Sequence, residues 1–199
     1  NNDSYVMLLA VFLLLFFSTD NNISSAEGFM FFVLYILYIY WLYLRTKDIS
    51  VTEEIDGKTS LTFLLGGLLG LLLGAHITVD SAVSIANYVG VPEIVVGLTV
   101  VAVGTSLPEL AGTVAAAKMG HKEIAVGNVI GSNIANILLV MGVLAMIKPV
   151  AVEQFVVERT LPLLVLLTMA TFFMIRIPLT RLGGSILFTF FLLFIYQLI

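Results

Sequence analysis

Apolar and polar positions along this chain fall into long blocks, not short alternations. Seven apolar segments separate cleanly: Tyr5–Phe17 (A), Gly28–Leu44 (B), Ser60 to about Tyr88 (C), Val91–Ala117 (D), Ile124–Ile147 (E), Thr160–Ile175 (F) and Leu182–Ile199 (G). A helix crossing a hydrocarbon core roughly 30 Å thick needs about 20 residues. Most segments fit that length, while A is short and must borrow its polar flanks. Segment C holds about 29 residues and reaches roughly 44 Å at 1.5 Å per residue. It is expected to tilt steeply, to break or to continue past the bilayer. The pattern predicts an all-α membrane protein of about seven transmembrane helices.

Composition sharpens this reading. Of 199 residues, 60% are hydrophobic and 11% charged, with a mean hydropathy of +1.10. A soluble domain is about half apolar and about a quarter charged. Soluble enzymes, disordered segments and nucleic-acid binders are therefore excluded, and no enzymatic activity or cofactor is expected. The chain has no cysteine, so disulfides and thiolate metal sites are impossible. Its two histidines, His76 and His121, are too few for a histidine metal site. The start, Asn1-Asn2-Asp3, lacks the basic residues of a signal peptide.

Charge then orients the spans. Loops B–C, D–E and F–G carry Arg45, Lys47, Lys58, Lys118, Lys122, Arg176 and Arg181, whereas the opposite side carries only Lys148 and Arg159. Positive residues favour the cytoplasm, so loops B–C, D–E and F–G are placed there. Loop B–C (Arg45–Thr59) is rich in charge, Ser and Thr, and is read as a solvated connector. It divides a two-helix piece with its loop, residues 1–59, from a five-helix piece, residues 60–199.

Segment D contains the stretch Gly104-Thr105-Ser106-Leu107-Pro108-Glu109-Leu110. Glu109 lies nine residues before Lys118, about 12–14 Å along a helix, which puts it near mid-bilayer. An ionisable group at that depth is costly and marks a functional site by default. Pro108 supplies no N–H, so the Gly104 carbonyl loses its helical partner. Loosened carbonyls are tolerated in a membrane only where something else satisfies them. Thr105 and Glu109 share a face at spacing four, with Ser106 three residues away. A carboxylate, two hydroxyls and freed carbonyls are hard oxygen donors suited to Na⁺ or Ca²⁺. The competing reading is a proline kink with a protonated Glu109 bonded to a neighbouring helix.

In segment E, Asn128, Ser132 and Asn136 recur at spacing four and form a polar stripe. They suit either ion ligation or hydrogen bonding between helices. Gly66, Gly70 and Gly74 in segment C form a small-residue stripe expected to pack closely or slide against another helix. His76 and Asp80 share a face of the same segment. Tyr38, Trp41 and Tyr43, near Arg45, fit an interfacial aromatic belt.

The run GLTVVAVGTSLPEL, followed by AVGNVIGSNIANILLVMG, closely resembles the α-repeat of the sodium/calcium exchanger family of calcium–cation antiporters. The likeness is strong over Val91–Gly142 and weaker from Ser60 to Ile199. Members of that family usually have ten spans, arranged as two inverted halves of five with one α-repeat in each. The resemblance implies that segments C–G form the second half of an inverted-repeat exchanger, with its α-repeat at about 82–147. Segments A and B would then be the last helices of the first half, whose first three helices lie outside this chain. Glu109 corresponds to the family's cation-binding glutamate, Thr105 and Ser106 to oxygen-donating positions, and Ala102 to a backbone-carbonyl position. Ser132 and Asn136 match ligand positions on the following helix. Asn136 departs from members with Asp there, the potassium-dependent branch among them, which argues against potassium dependence.

The resemblance implies exchange of Na⁺ for Ca²⁺ by alternating access in the plasma membrane. A proton-coupled Ca²⁺ antiporter and a non-transporting membrane assembly subunit are the alternatives. Because Ca²⁺ prefers six to eight oxygens and this chain offers one such carboxylate, half a site is expected here. Completion calls for a homodimer, antiparallel in the membrane, or for a missing N-terminal half.

Overall fold

The computed structural model describes residues 2–46, 57–90, 102–176 and 181–198. Most of the charged B–C connector and the start of segment D lie outside the described residues. The helices are α1 (Asp3–Phe17), α2 (Ser25–Thr46), α3 (Gly57–Tyr88), α4 (Ala102–Thr105), α5 (Leu107–Lys118), α6 (Lys122–Ile134), α7 (Gly142–Ile147), α8 (Leu161–Met174) and α9 (Arg181–Leu198). Two π-helical stretches, Ala135–Met141 and Val156–Thr160, join α6 to α7 and lead into α8. Strands β1 (Asn22–Ile23) and β2 (Val150–Ala151) are short. The chain divides into two compact units, one of Asn1–Asp48 with Val129–Ile199, the other of Ile49–Asn128.

In the first unit, α1 buries Ser4, Met7, Ala10, Val11, Leu14 and Phe17, one helical face, and packs on α8. Tyr5 meets Phe172 edge-on at 5.1 Å. The start of α2 is set by a reciprocal cap. Glu27 Oε2 accepts hydrogen bonds from the Ser24 N–H and hydroxyl, both at 2.7 Å, while the Glu27 N–H donates back to Ser24 Oγ. This cap begins the helix at Ser25, three residues before the apolar run.

Helix α2 packs on α7 and on the π-helical stretch before it. The crossing is close because two glycines meet there. A Cβ at Gly28 would lie 2.7 Å from Ala145 Cβ and 2.8 Å from both the Gly142 oxygen and the Met146 nitrogen. A Cβ at Gly142 would come within 3.0 Å of the Phe32 nitrogen. Phe31, fully buried, stacks edge-on with Phe17 beside this crossing. Strands β1 and β2 pair antiparallel, Asn22 opposite Ala151. Loops A–B and E–F therefore meet at one end of this unit, as alternation of spans requires.

In the second unit α3 is one unbroken helix of 32 residues, about 48 Å long. Segment C thus continues past a bilayer thickness and does not break. Its most apolar 18 residues present no buried side chain. The glycine stripe also lies open: a Cβ at Gly66, Gly67, Gly70 or Gly74 would meet nothing within 4 Å among the described residues. Among the described residues the tight glycine contact is the Gly28–Gly142 crossing. Where α3 does pack, it meets α4 and α5. A groove of about 420 Å³ separates Gly70, Gly74 and Thr78 from Leu107, Pro108 and Ala111.

Among the described residues, four helical spans are long and apolar enough to cross a membrane: Ser25–Thr46, Leu61–Tyr88, Lys122–Ile147 and Val156–Met174. Asp3–Phe17 and Leu182–Leu193 are shorter apolar helices. Their outward faces carry Leu, Phe and Ile, such as Phe63, Leu64, Phe188 and Leu192. This is an all-α fold built for a lipid solvent.

Candidate functional site

Segment D is interrupted where its sequence is richest in oxygen donors. Helix α4 ends at Thr105 and α5 starts at Leu107, with Ser106 between them at φ −93°, ψ 0°. Pro108 falls in the first turn of α5, where its missing N–H costs no helical bond within that helix. Ser106 keeps right-handed dihedrals, so the disturbance is an interruption of the hydrogen-bond ladder followed by a new helix start. The first tie across the join is local: the Leu110 N–H donates to the Ser106 carbonyl at 3.0 Å.

Close approach to α3 explains Gly104. A Cβ there would collide with the Val79 side chain, so only glycine lets the broken helix lie against α3 at this level. Thr105 and Ser106, one and two residues further on, are exposed. Ala102 opens α4.

Glu109 stands in the first turn of α5 and is half-buried. Its Oε2 is buried and accepts no hydrogen bond from any described residue. A buried polar atom without a partner is rare, because its desolvation is uncompensated. A carboxyl oxygen in that state fits a cation, which would supply the missing interaction. Among the described residues no cluster of three or more His, Asp or Glu side chains exists. Within the described residues, Glu109 thus has only neutral oxygens beside it for any coordination.

The stripe of segment E divides. Asn128 belongs to the second unit and Ser132 and Asn136 to the first. The Asn128 amide donates to the Glu109 carbonyl and to Thr113 Oγ1, both at 2.9 Å. Ser132 Oγ donates to the Val129 carbonyl at 3.1 Å, and Asn133 Nδ2 reaches the same carbonyl at 2.8 Å. A hydroxyl that donates keeps its lone pairs, so Ser132 retains ligand capacity. Asn136 is exposed and lies in the π-helical stretch. Such stretches occur often at functional sites, but nothing in the sequence marks this one.

Of the residues matched to ligand positions, the structure gathers Ala102, Thr105, Ser106 and Glu109 around a single helix break. Asn128 and Val79 are not among those positions, although Asn128 holds the Glu109 carbonyl and Val79 lies against Gly104. The Asn of the Gly127-Asn128 pair is the available signal for the first; Val79 carries none. His76 and Asp80 do share a face, with Nε2 and Oδ2 3.4 Å apart and both side chains exposed.

Comparison with known proteins agrees with this anatomy. Residues 59–199 match the family described as sodium/calcium exchanger protein. The sodium/calcium exchanger MaX1 of Methanosarcina acetivorans is 36% identical over 151 residues, which is 73% of this chain and 43% of that protein. The inner membrane protein YrbG of Escherichia coli is 34% identical over 165 residues, 75% of this chain and 50% of that protein. The chain thus spans half or less of the length of these relatives. A solved structure of the sodium-calcium exchanger NCX_Mj superposes with a TM-score of 0.84 at 30% identity, covering 100% of this chain and 65% of that one. An oxygen-rich helix break, a lipid-facing all-α fold and these likenesses lead to one assignment: the chain is an integral membrane protein that belongs to the sodium/calcium exchanger family.

Proposed function

We propose that this chain forms part of an antiporter that exchanges Na⁺ for Ca²⁺ across the plasma membrane by alternating access, with Glu109 as the anionic ligand of the transported cation. The observation that carries the reading is the buried, unpartnered Glu109 Oε2 beside a broken helix. Family membership and the likeness to NCX_Mj support the same chemistry. Thr105 and Ser106 supply hydroxyl or carbonyl oxygens, Ala102 a backbone carbonyl, and Ser132 and Asn136 further ligands from the next helix. Both ions are cargo and not resident cofactors.

Six to eight oxygens around Ca²⁺ exceed what one carboxylate and its neutral neighbours provide. The site is completed by a second repeat of opposite topology, from an N-terminal half or from an antiparallel copy of this chain. Residues 1–59 act as two helices with their connector, and residues 60–199 as the half that carries the α-repeat. The basic bias toward loops B–C, D–E and F–G disfavours insertion of one chain in both orientations, so the N-terminal half is the preferred complement.

The test is isotopic Ca²⁺ uptake by vesicles holding the whole exchanger, under imposed Na⁺ or pH gradients. A Na⁺ gradient is expected to drive uptake, and Glu109→Gln is expected to weaken Ca²⁺ binding at least a hundredfold. That loss corresponds to about 3 kcal/mol, the low end for removing one member of a buried charge pair. Uptake driven by pH alone would replace Na⁺ with H⁺ as the coupling ion. Unchanged Ca²⁺ affinity in Glu109→Gln would remove Glu109 from the site.

A further inference from the structure

We propose that Asn128 is a positioning residue for the cation site, holding the turn that carries Glu109 without itself touching the ion. This inference rests on the assignment of Glu109 as the ligand. Its basis is a fork of two hydrogen bonds, from Asn128 Nδ2 to the Glu109 carbonyl and to Thr113 Oγ1, each 2.9 Å.

The two acceptors lie four residues apart, so the fork spans one turn of α5, from Glu109 to Thr113, just beyond the helix start at Leu107. The hydrogen-bond ladder to α4 is interrupted at Ser106, so α4 holds this turn less firmly than an unbroken helix would. The carbonyl of Glu109 has two lone pairs. The helix's own pattern uses one, for the Thr113 N–H, and Asn128 takes the other. The amide orientation follows from the Glu109 carbonyl, a pure acceptor that takes the nitrogen and would repel the amide oxygen. Gly112 leaves space beside the fork: a Cβ there would stand 3.7 Å from Asn128 Nδ2.

The consequence concerns distance tolerance. Ca²⁺ holds its oxygens at 2.3–2.6 Å, so a ligand backbone that drifts by about half an ångström no longer reaches a shared centre. Asn128 fixes the Glu109 main chain to α6, a continuous helix, and so fixes the root of the carboxylate. Outer partners of this kind change metal affinity by about 10–100-fold when removed. A residue that only glued two helices together would instead change how much protein folds.

The experiment compares Asn128→Leu, Thr113→Val and Glu109→Gln in the whole exchanger. Ca²⁺ affinity and the maximal exchange rate are measured on the folded fraction, with thermal unfolding alongside. Asn128→Leu removes both donors and keeps the branched shape of the side chain. It is expected to weaken apparent Ca²⁺ affinity about tenfold, the low end of that range, with the maximal rate nearly retained. Thr113→Val removes one of the two acceptors of the fork, and is expected to weaken affinity by less than Asn128→Leu but measurably.

If Glu109→Gln abolishes Ca²⁺ binding while folded Asn128→Leu binds as wild type, the positioning role is refuted and the site stands. A lowered unfolding temperature with unchanged affinity refutes that role equally. If Asn128→Leu yields no folded protein, Thr113→Val decides, and wild-type affinity in that variant refutes the proposal. If Glu109→Gln itself binds Ca²⁺ normally, the ligand assignment fails and this inference fails with it.

Discussion

Substitution of Gly28 by alanine tests where the helices of this protein touch. The added methyl would stand 2.7 Å from Ala145 Cβ and 2.8 Å from two backbone atoms of α7, the Gly142 oxygen and the Met146 nitrogen. Comfortable carbon contacts lie at about 3.5–4.0 Å, so α2 and α7 must part by roughly an ångström. Backbone cannot rotate aside as a side chain can. Parting also loosens Phe31, which is fully buried beside the crossing. In lipid such a loss is one of packing, since helix association there does not draw on the hydrophobic effect.

Overpacking of this kind costs about 1–3 kcal/mol, against which a Gly-to-Ala change in a helix returns up to about 1 kcal/mol. Two of the three contacts are to backbone, which puts the cost at about 2–3 kcal/mol, so the net expectation is about 1–2 kcal/mol, or a fall of roughly 2–8 °C in the unfolding midpoint for a chain of this size. Thermal unfolding of the detergent-solubilised exchanger measures it, with Gly66→Ala as the control. Among the described residues nothing lies within 4 Å of a Cβ at Gly66, so alanine there keeps the propensity gain and is expected to be neutral or stabilising. A Gly28→Ala midpoint equal to wild type, or a larger loss at Gly66 than at Gly28, would refute this placement of the close crossing.

Two further outcomes are expected. Gly104→Ala should lower both stability and exchange, because its methyl collides with Val79, and adding Val79→Ala should restore much of each; vesicle uptake and thermal unfolding of the single and double variants check this. Asn136→Asp should shift preference toward the divalent ion by adding a second carboxylate while leaving the unfolding midpoint nearly unchanged, as measured by competition between Na⁺ and Ca²⁺.

Hydropathy locates the helices well because a lipid solvent imposes one rule on every outward residue. It misses what hydrogen bonding adds at the ends. The apolar run of segment B opens at Gly28, yet α2 begins at Ser25, since the Ser24–Glu27 cap carries the helix into polar sequence. Pro108 and Gly104 announce a disturbance in segment D, but not whether the helix bends or restarts. The glycine stripe of α3 is legible but meets no close neighbour among the described residues, whereas Gly28 and Gly142 make the tight crossing. Neither belongs to a repeated small-residue pattern within its own helix, so spacing alone cannot pair them. The donors around Glu109 are readable because the membrane makes a mid-bilayer carboxylate conspicuous. Asn128 is readable as part of a stripe, but its attachment to a backbone carbonyl requires the fold.

The π-helical stretch Ala135–Met141 has a consequence for how this helix can vary. A single residue added to an α-helix turns everything beyond it by about 100°. The stretch stands between Ser132 and the pair Gly142 and Ala145, which meet α2. It therefore sets the angular phase of one set relative to the other. A π turn holds one more residue than an α turn over nearly the same rotation. Deleting one residue within 135–141 is therefore expected to return the segment to plain α-helical winding while Gly142 keeps its face toward Gly28. The same deletion upstream, within the α-helical Lys122–Ile134, would swing Gly142 away by about 100°. The seven positions thus form a length reserve that can lose a residue the helix before them cannot spare.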